Sequence, residues 1–369
     1  MNPRRLLVLA AVAVVAVIVA VSLANRTATT PRGVNDLLYP DLKAQAESVK
    51  AIRVFKAGDE RAVEVVRNGG GWTLTERNGY PIAEAKARNL VRALSNAKIL
   101  EEKTSDPEKF AALSVEDVSS REAKGIRIEL EGPATPVNLI VGKDGPGTKS
   151  SYVRRAGESK SWLVNEQLSA SSEPRDWLDK DIINVSADRV QSATVTIGNQ
   201  KPYTAAKSSR ADADFKVEPL PKGKELSSSS AANGLATALV SLTLDDVKPK
   251  ADIATDKPSA QATYKTFDGL VVQLTGYEQD ETHYVTLTTS YDAALAEQFA
   301  VKTAADETAK DEPGKGEGEA KTEAKPAEST PKVEEEAKTI AAKVSNWAYE
   351  IPGYKYDAIF RPLDEMLKK

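Results

Sequence analysis

The chain carries one histidine, His283, and no cysteine, and these two facts set most of its chemical limits. Without cysteine there are no disulfides, thiolate metal sites, iron–sulfur clusters, cysteine nucleophiles or lipidated cysteines. With one imidazole, multi-histidine metal sites are excluded and any histidine-based triad must use His283. His283 precedes Tyr284-Val285 in a strand pattern, and no Gly-x-Ser-x-Gly elbow exists for it to serve. It reads as a surface or half-buried strand residue. The run Gly142-Lys143-Asp144-Gly145-Pro146-Gly147-Thr148-Lys149-Ser150 nearly spells a phosphate-binding loop. Its Lys149-Ser150 pair falls one residue late, Pro146 lacks an amide donor, and a strand pattern follows instead of a helix. Phosphate binding needs amides converging at a helix N-terminus, so a hairpin turn explains the run better. Asp176, Asp179 and Asp181 could gather around calcium, but their spacing departs from an EF-hand loop and Arg175 and Lys180 dilute the charge. They read as capping and solvating residues in the link between two halves of the chain.

Trp72, Trp162, Trp177 and Trp347 remain as stacking platforms for sugar or peptidoglycan. Three of them, Trp72, Trp162 and Trp347, lie in strand patterns of an internal repeat, so core packing is their expected role. No catalytic, cofactor-binding or metal-binding residue is assigned. No enzymatic activity and no cofactor are expected.

The elements that would position these residues form one pattern written twice. Ile52/Val54 and Val63/Val65 alternate as strands, and the turn Asn68-Gly69-Gly70-Gly71 leads to a third at Trp72-Thr73-Leu74. Ala83, Ala87, Leu90, Val91 and Leu94 carry the three-to-four spacing of a helix running to Ile99-Leu100. Strands follow at Gly125–Gly132, Val137–Gly142, Tyr152-Val153 and Trp162–Val164. In the second half Val195/Ile197, Tyr203/Ala205 and Phe215/Val217 stand for the first three strands. Ala231, Leu235, Ala238, Leu239 and Leu242 stand for the helix. Residues 125–132 and 269–276 both fit Gly-(Ile/Leu)-x-(Ile/Val)-x-Leu-x-Gly, Tyr284-Val285 answers Tyr152-Val153, and Trp347-Ala348-Tyr349 answers Trp162-Leu163-Val164.

The ends and the insert differ in material. Residues 1–5 read as a cytoplasmic segment carrying Arg4 and Arg5, ahead of nineteen residues, Leu6–Ala24, in which Ser22 alone is polar. As a helix this run spans roughly 28 Å, close to a bilayer's hydrocarbon core, and the arginines favour export of everything after it. The run exceeds the usual length of a signal h-region, so a retained transmembrane anchor is favoured over a cleaved signal peptide ending near Ser22-Leu23-Ala24. Residues 25–48 read as a stalk, 49–185 as the first module and 186–369 as the second. Within the second, Lys302–Lys338 holds seven Lys and eleven acidic residues with Val333 its single branched aliphatic, so it is expected to be a disordered insert. Glu334–Val344 extends as a helix towards Trp347. The insert's acidic surplus equals the whole net charge of −4. The remainder is neutral, without the basic excess of a nucleic-acid binder.

The sequence resembles a family of membrane-anchored proteins catalogued as domain of unknown function 4340. The resemblance is carried by the apolar N-terminal run, Trp72-Thr73-Leu74 with Leu90/Leu94, Val137–Gly142, Tyr152-Val153-Arg154, Trp162-Leu163-Val164 and Trp177-Leu178-Asp179-Lys180-Asp181. One departure is Phe110-Ala111-Ala112-Leu113, near a place where many relatives carry Tyr-Gly-Leu. The resemblance implies an accessory subunit of a gliding-motility-type ABC transporter, whose permease partner has its own extracytoplasmic domain. The expectation is therefore an α+β protein: an N-terminal transmembrane helix, then two related modules of mixed β-sheet, each with a packed helix. It would sit in the inner (cytoplasmic) membrane through Leu6–Ala24 with its body outside the cytoplasm, and bind and scaffold rather than catalyse. An envelope-anchored binder of polysaccharide or peptidoglycan, using the tryptophans, is the alternative.

Overall fold

The computed structural model describes residues 35–147, 149–279, 281–308 and 330–369. The expected cytoplasmic segment 1–5, the anchor Leu6–Ala24 and the first part of the stalk lie outside them. The chain divides into two compact units, one ending at Trp177 and the other beginning at Leu178.

The first unit holds nine strands: β1 (Ala51–Lys56), β2 (Glu60–Asn68), β3 (Gly71–Leu74), β4 (Tyr80–Pro81), β5 (Ile99–Thr104), β6 (Ile126–Glu131), β7 (Val137–Asp144), β8 (Ser151–Arg155) and β9 (Ser161–Val164). They form one sheet in the order β4-β3-β2-β1-β6-β7-β8-β9-β5. Directly opposed residues share a face. The pairs Ile52–Val65, Val54–Val63, Val54–Ile128, Ile128–Leu139, Val141–Val153 and Val153–Trp162 therefore line one continuous apolar side. The opposite side carries charge: Arg53 stands between Glu64 and Glu129, and its guanidinium pairs with Glu64 at 2.6 Å and also with Glu131. Helix α1 (Glu84–Asn96) buries Ala87, Leu90, Val91 and Leu94, the stripe that the spacing specifies.

The second unit repeats the plan. Its strands are β10 (Asp181–Ile183), β11 (Val190–Ile197), β12 (Tyr203–Ala206), β13 (Lys216–Glu218), β14 (Leu242–Thr243), β15 (Asp246–Pro249), β16 (Ala260–Thr266), β17 (Leu270–Gln279), β18 (Thr282–Tyr291) and β19 (Trp347–Glu350). The main sheet runs β13-β12-β11-β16-β17-β18-β19-β15, and β10 pairs with β14 separately. Strand for strand this is the order β3-β2-β1-β6-β7-β8-β9-β5 of the first unit. Tyr152-Val153 and Tyr284-Val285 occupy equivalent strands, as do Trp162 and Trp347. The Gly-bounded match does not. Residues 125–132 lie on β6, whose counterpart is β16, whereas 269–276 lie on β17, the counterpart of β7. The shared glycines have separate local causes. A side chain at Gly132 would collide with the Ser48 carbonyl, and one at Gly276 with the Tyr356 ring.

The α+β expectation is corrected. The regular structure of the described residues is mostly strand, in three sheets with few helices, and every strand pairing is antiparallel rather than mixed. Most neighbouring strands are joined by short turns, which permit only antiparallel pairing. Among the described residues no helix is long and apolar enough to cross a membrane. The helix expected around Ala231–Leu242 is a 3-10 turn over Asn233–Thr237. The Asn233 side chain accepts from the Phe215 amide at 3.1 Å and donates to Asp214 at 2.8 Å, tying the turn to the entry of β13. Such side-chain bonds compete with helix, and Gly234 lowers its propensity further.

The stalk and insert are also corrected in part. Leu38, Tyr39 and Leu42 are buried, and Leu37 bridges to Lys98, so residues 35–48 belong to the body of the first unit. In the expected insert, helix α2 (Ala293–Thr308) and helix α3 (Thr330–Val344) occupy the two flanks, and only 309–329 falls outside the described residues. On α3 Val333, Ala337 and Val344 are buried, and the Ala337 carbonyl accepts from the Thr289 hydroxyl at 2.6 Å. Arg189, at the mouth of β11, reaches Glu336 with both terminal nitrogens (2.9 and 2.8 Å) and Asp268 with Nε (2.9 Å). The Glu336 hydrogen bonds raise the guanidinium pKa above its ordinary value. Removing residues 309–329 is expected to leave the melting temperature within a few degrees, given their polar composition. Extending the deletion to Lys338 removes Val333, Glu336 and Ala337 and should cost at least about 2 kcal/mol, read by thermal melts of the two deletions.

Candidate functional site

A concave feature of the first unit follows from how α1 meets the sheet. Trp72 and Leu74 share the apolar face with Val65, and Trp72 stands opposite Arg67 beside the turn that joins β2 to β3. Ala87 and Val91 of α1 approach the indole from above, and the helical turn Leu42–Gln45 with the residues after it forms the far wall. A groove of about 950 Å³ remains between them. The turn Gly69-Gly70 edges it without side chains, since a Cβ at either glycine would meet nothing within 4 Å.

The groove's rim is charged. Lys43, Arg67, Arg88 and Arg92 face it together with Glu47 and Glu84. Arg67 pairs with Glu47 at 3.2 Å, donates to the Glu47 carbonyl at 3.0 Å, and lies 5.8 Å from the Trp72 ring centre. Arg88 pairs with Glu84 one helical turn away at 2.8 Å. Arg92 donates to the neutral Asn89 side chain at 3.4 Å. Among the described residues Lys43 and Arg92 have no acidic partner, so the rim carries two uncompensated positive charges. The lining thus combines apolar side chains with a cationic edge, and Ser95, Asn96 and Asn68 add neutral polar groups.

The residues singled out in the sequence fall elsewhere or into the core. Trp72, Trp162 and Trp177 are buried, and the Trp177 indole donates to the Ser171 carbonyl at 2.9 Å. Trp347 is half-buried on β19. His283 is half-buried on β18 opposite Glu278, its ring 4.6 Å from that of Tyr356. The Gly142–Ser150 run joins β7 to β8 as a hairpin connection, with the Gly145 amide bonded to the Ser150 carbonyl at 2.9 Å and Thr148 outside the described residues. Asp176 accepts from the Ser171 hydroxyl at 2.6 Å, while Asp179 and the Asp181 carbonyl both accept from Lys343. Among the described residues no group of three or more carboxylates or imidazoles is placed to hold a metal.

Floor and rim should separate in mutagenesis. Trp72→Ala removes a core indole and is expected to cost about 3 kcal/mol of stability. Arg92→Glu alters an exposed side chain and should shift stability by less than about 0.5 kcal/mol. Denaturant titration of the two variants measures both.

No curated protein and no solved structure matches the chain. The family described as a domain of unknown function, DUF4340, matches residues 72–265, more than half of the 369 residues. The matched stretch begins at the Trp72 strand and ends within β16, covering most of the first unit and the opening strands of its repeat. The chain belongs to the DUF4340 family.

Proposed function

We propose that this protein is an extracytoplasmic accessory subunit of an ABC transporter assembly of the gliding-motility type, and that it works by binding and scaffolding rather than by catalysis. The groove beside α1 is the observation that carries this reading. It is open, apolar at its floor and cationic at its rim, as a docking surface for another macromolecule is. Two further supports come from the sequence: the family resemblance, with its implied permease partner, and the arginines preceding the apolar run Leu6–Ala24, which argue for a body outside the cytoplasm. The competing polysaccharide- or peptidoglycan-binding role keeps one observation in its favour, the Trp72 edge at the groove floor. It loses the broad aromatic platform it needs, because Trp162 and Trp177 are buried with Trp72.

Co-purification tests the proposal. The full chain, tagged after Lys369 and extracted from detergent-solubilised membranes, is expected to bring down a transporter permease with a large outer domain, identified by mass spectrometry. Recovery of the chain alone, or with cell-wall fragments, would remove the transporter assignment. A reporter fused after Lys369 should be active only outside the cytoplasm, and cytoplasmic activity would refute the placement.

A further inference from the structure

We infer that the groove beside α1 takes an extended acidic peptide segment of a partner protein, with an apolar side chain on the Trp72 floor and carboxylates held by Lys43 and Arg92. The inference rests on the binding reading above and names the chemistry of the occupant.

The charges select its sign. Glu47 and Glu84 already occupy Arg67 and Arg88, while Lys43 and Arg92 stand on separate elements, the Leu42–Gln45 turn and α1, without an acidic partner among the described residues. An occupant with carboxylates on both flanks would answer both cations at once. The floor selects an apolar group between them. Ala87 is fully buried, Val91 is 7% exposed and offers no side-chain hydrogen bond, and Trp72 presents little more than an edge at 9% exposure. That edge packs against an aliphatic side chain but gives no open ring face for a sugar to stack on. The same cations are long, exposed and spread around an open rim, unlike the convergent amides that grip a lone phosphate. The side-chain-free Gly69-Gly70 turn leaves room for a second backbone to run alongside.

The test uses the full chain in detergent and a fluorescein-labelled heptapeptide in which one leucine is flanked by two acidic residues on each side. The peptide should bind, and a version with lysine in place of the acids should bind at least about tenfold more weakly. The double variant Lys43→Glu/Arg92→Glu should weaken the acidic peptide about tenfold with an unchanged melting temperature, and salt near 0.5 M should weaken it several-fold. Equal binding of both peptides, indifference to the double variant, or preference for an oligogalacturonate overturns the inference. Co-purification of a transporter without acidic-peptide binding overturns it while leaving the scaffold reading intact. Peptide binding without a co-purified transporter upholds it and removes the transporter assignment.

Discussion

The main sheet of each unit has a continuous apolar face, and its unit keeps water off that face. In the first unit Ile52, Val54, Val63, Val65, Ile128, Leu139 and Val153 are completely buried along opposed pairs. Their burial is possible because antiparallel strands put alternate residues on one side, leaving Arg53, Glu64 and Glu129 for the solvated side. Part of the charged side is covered as well. Arg154 on β8 is buried there beneath Phe110, its guanidinium 4.6 Å from that ring. It donates to the Val115 carbonyl at 2.7 Å and pairs with Asp117 at 2.9 Å. One arginine thus anchors the loop that leads from β5 to β6.

The two units meet the same demand with different parts. In the first, α1 lies between β4 and β5 in sequence and supplies the cover itself. In the second, the corresponding stretch is only the Asn233–Thr237 turn, and later chain takes over. Helix α3 and helix α4 (Gly353–Ile359) sit over one side of the sheet, the first bonded from Thr289 and the second from Tyr264, whose hydroxyl donates to the Ile359 carbonyl at 2.9 Å. Val272 lies opposite both Tyr264 and Thr289, which fixes these two contacts on a common face. Tyr203 on β12, two strands from β16, reaches the Arg361 carbonyl at 2.6 Å. Burial in this cover pushes the Tyr264 phenol up, and raises that of Tyr356 to about 12.

Sheet alternation was legible in the sequence because its period of two survives in Ile52/Val54 and Val63/Val65, and α1 because its stripe is complete. The duplication could be read from the order of strands and from the Tyr-Val and Trp positions. The Gly-bounded motif misled by one strand, since glycines forced by Ser48 in one copy and Tyr356 in the other look alike as letters. Helix α3 was legible from Glu334 to Val344, but its start at Thr330 and its packing on the body were not. Its buried side is Val333, Ala337 and Val344, a small surface set in Glu and Lys, so composition pointed to disorder while the Arg189–Glu336 pair supplied the missing attachment. The groove was the least legible feature. Lys43, Arg67 and the α1 arginines come from three separated segments, and of these only Arg88 and Arg92, four residues apart, share one element.

The difference in cover between the copies also explains why the groove belongs to one of them. A helix of thirteen residues laid across a wide sheet cannot seal its whole flank. Along α1, from Glu84 to Asn96, the flank around Ala87 and Val91 carries charged and polar side chains rather than more apolar chain. In the second unit the Asn233–Thr237 turn is met by the segment around Arg361, whose guanidinium would lie 3.1 Å from a Cβ at Gly234. That contact occupies the space beside the turn. With the later helices bonded over the second sheet, its core is buried without a counterpart of α1. In the first unit α1 itself buries Ala87, Leu90, Val91 and Leu94, so it must be retained for stability, and its charged flank edges the groove.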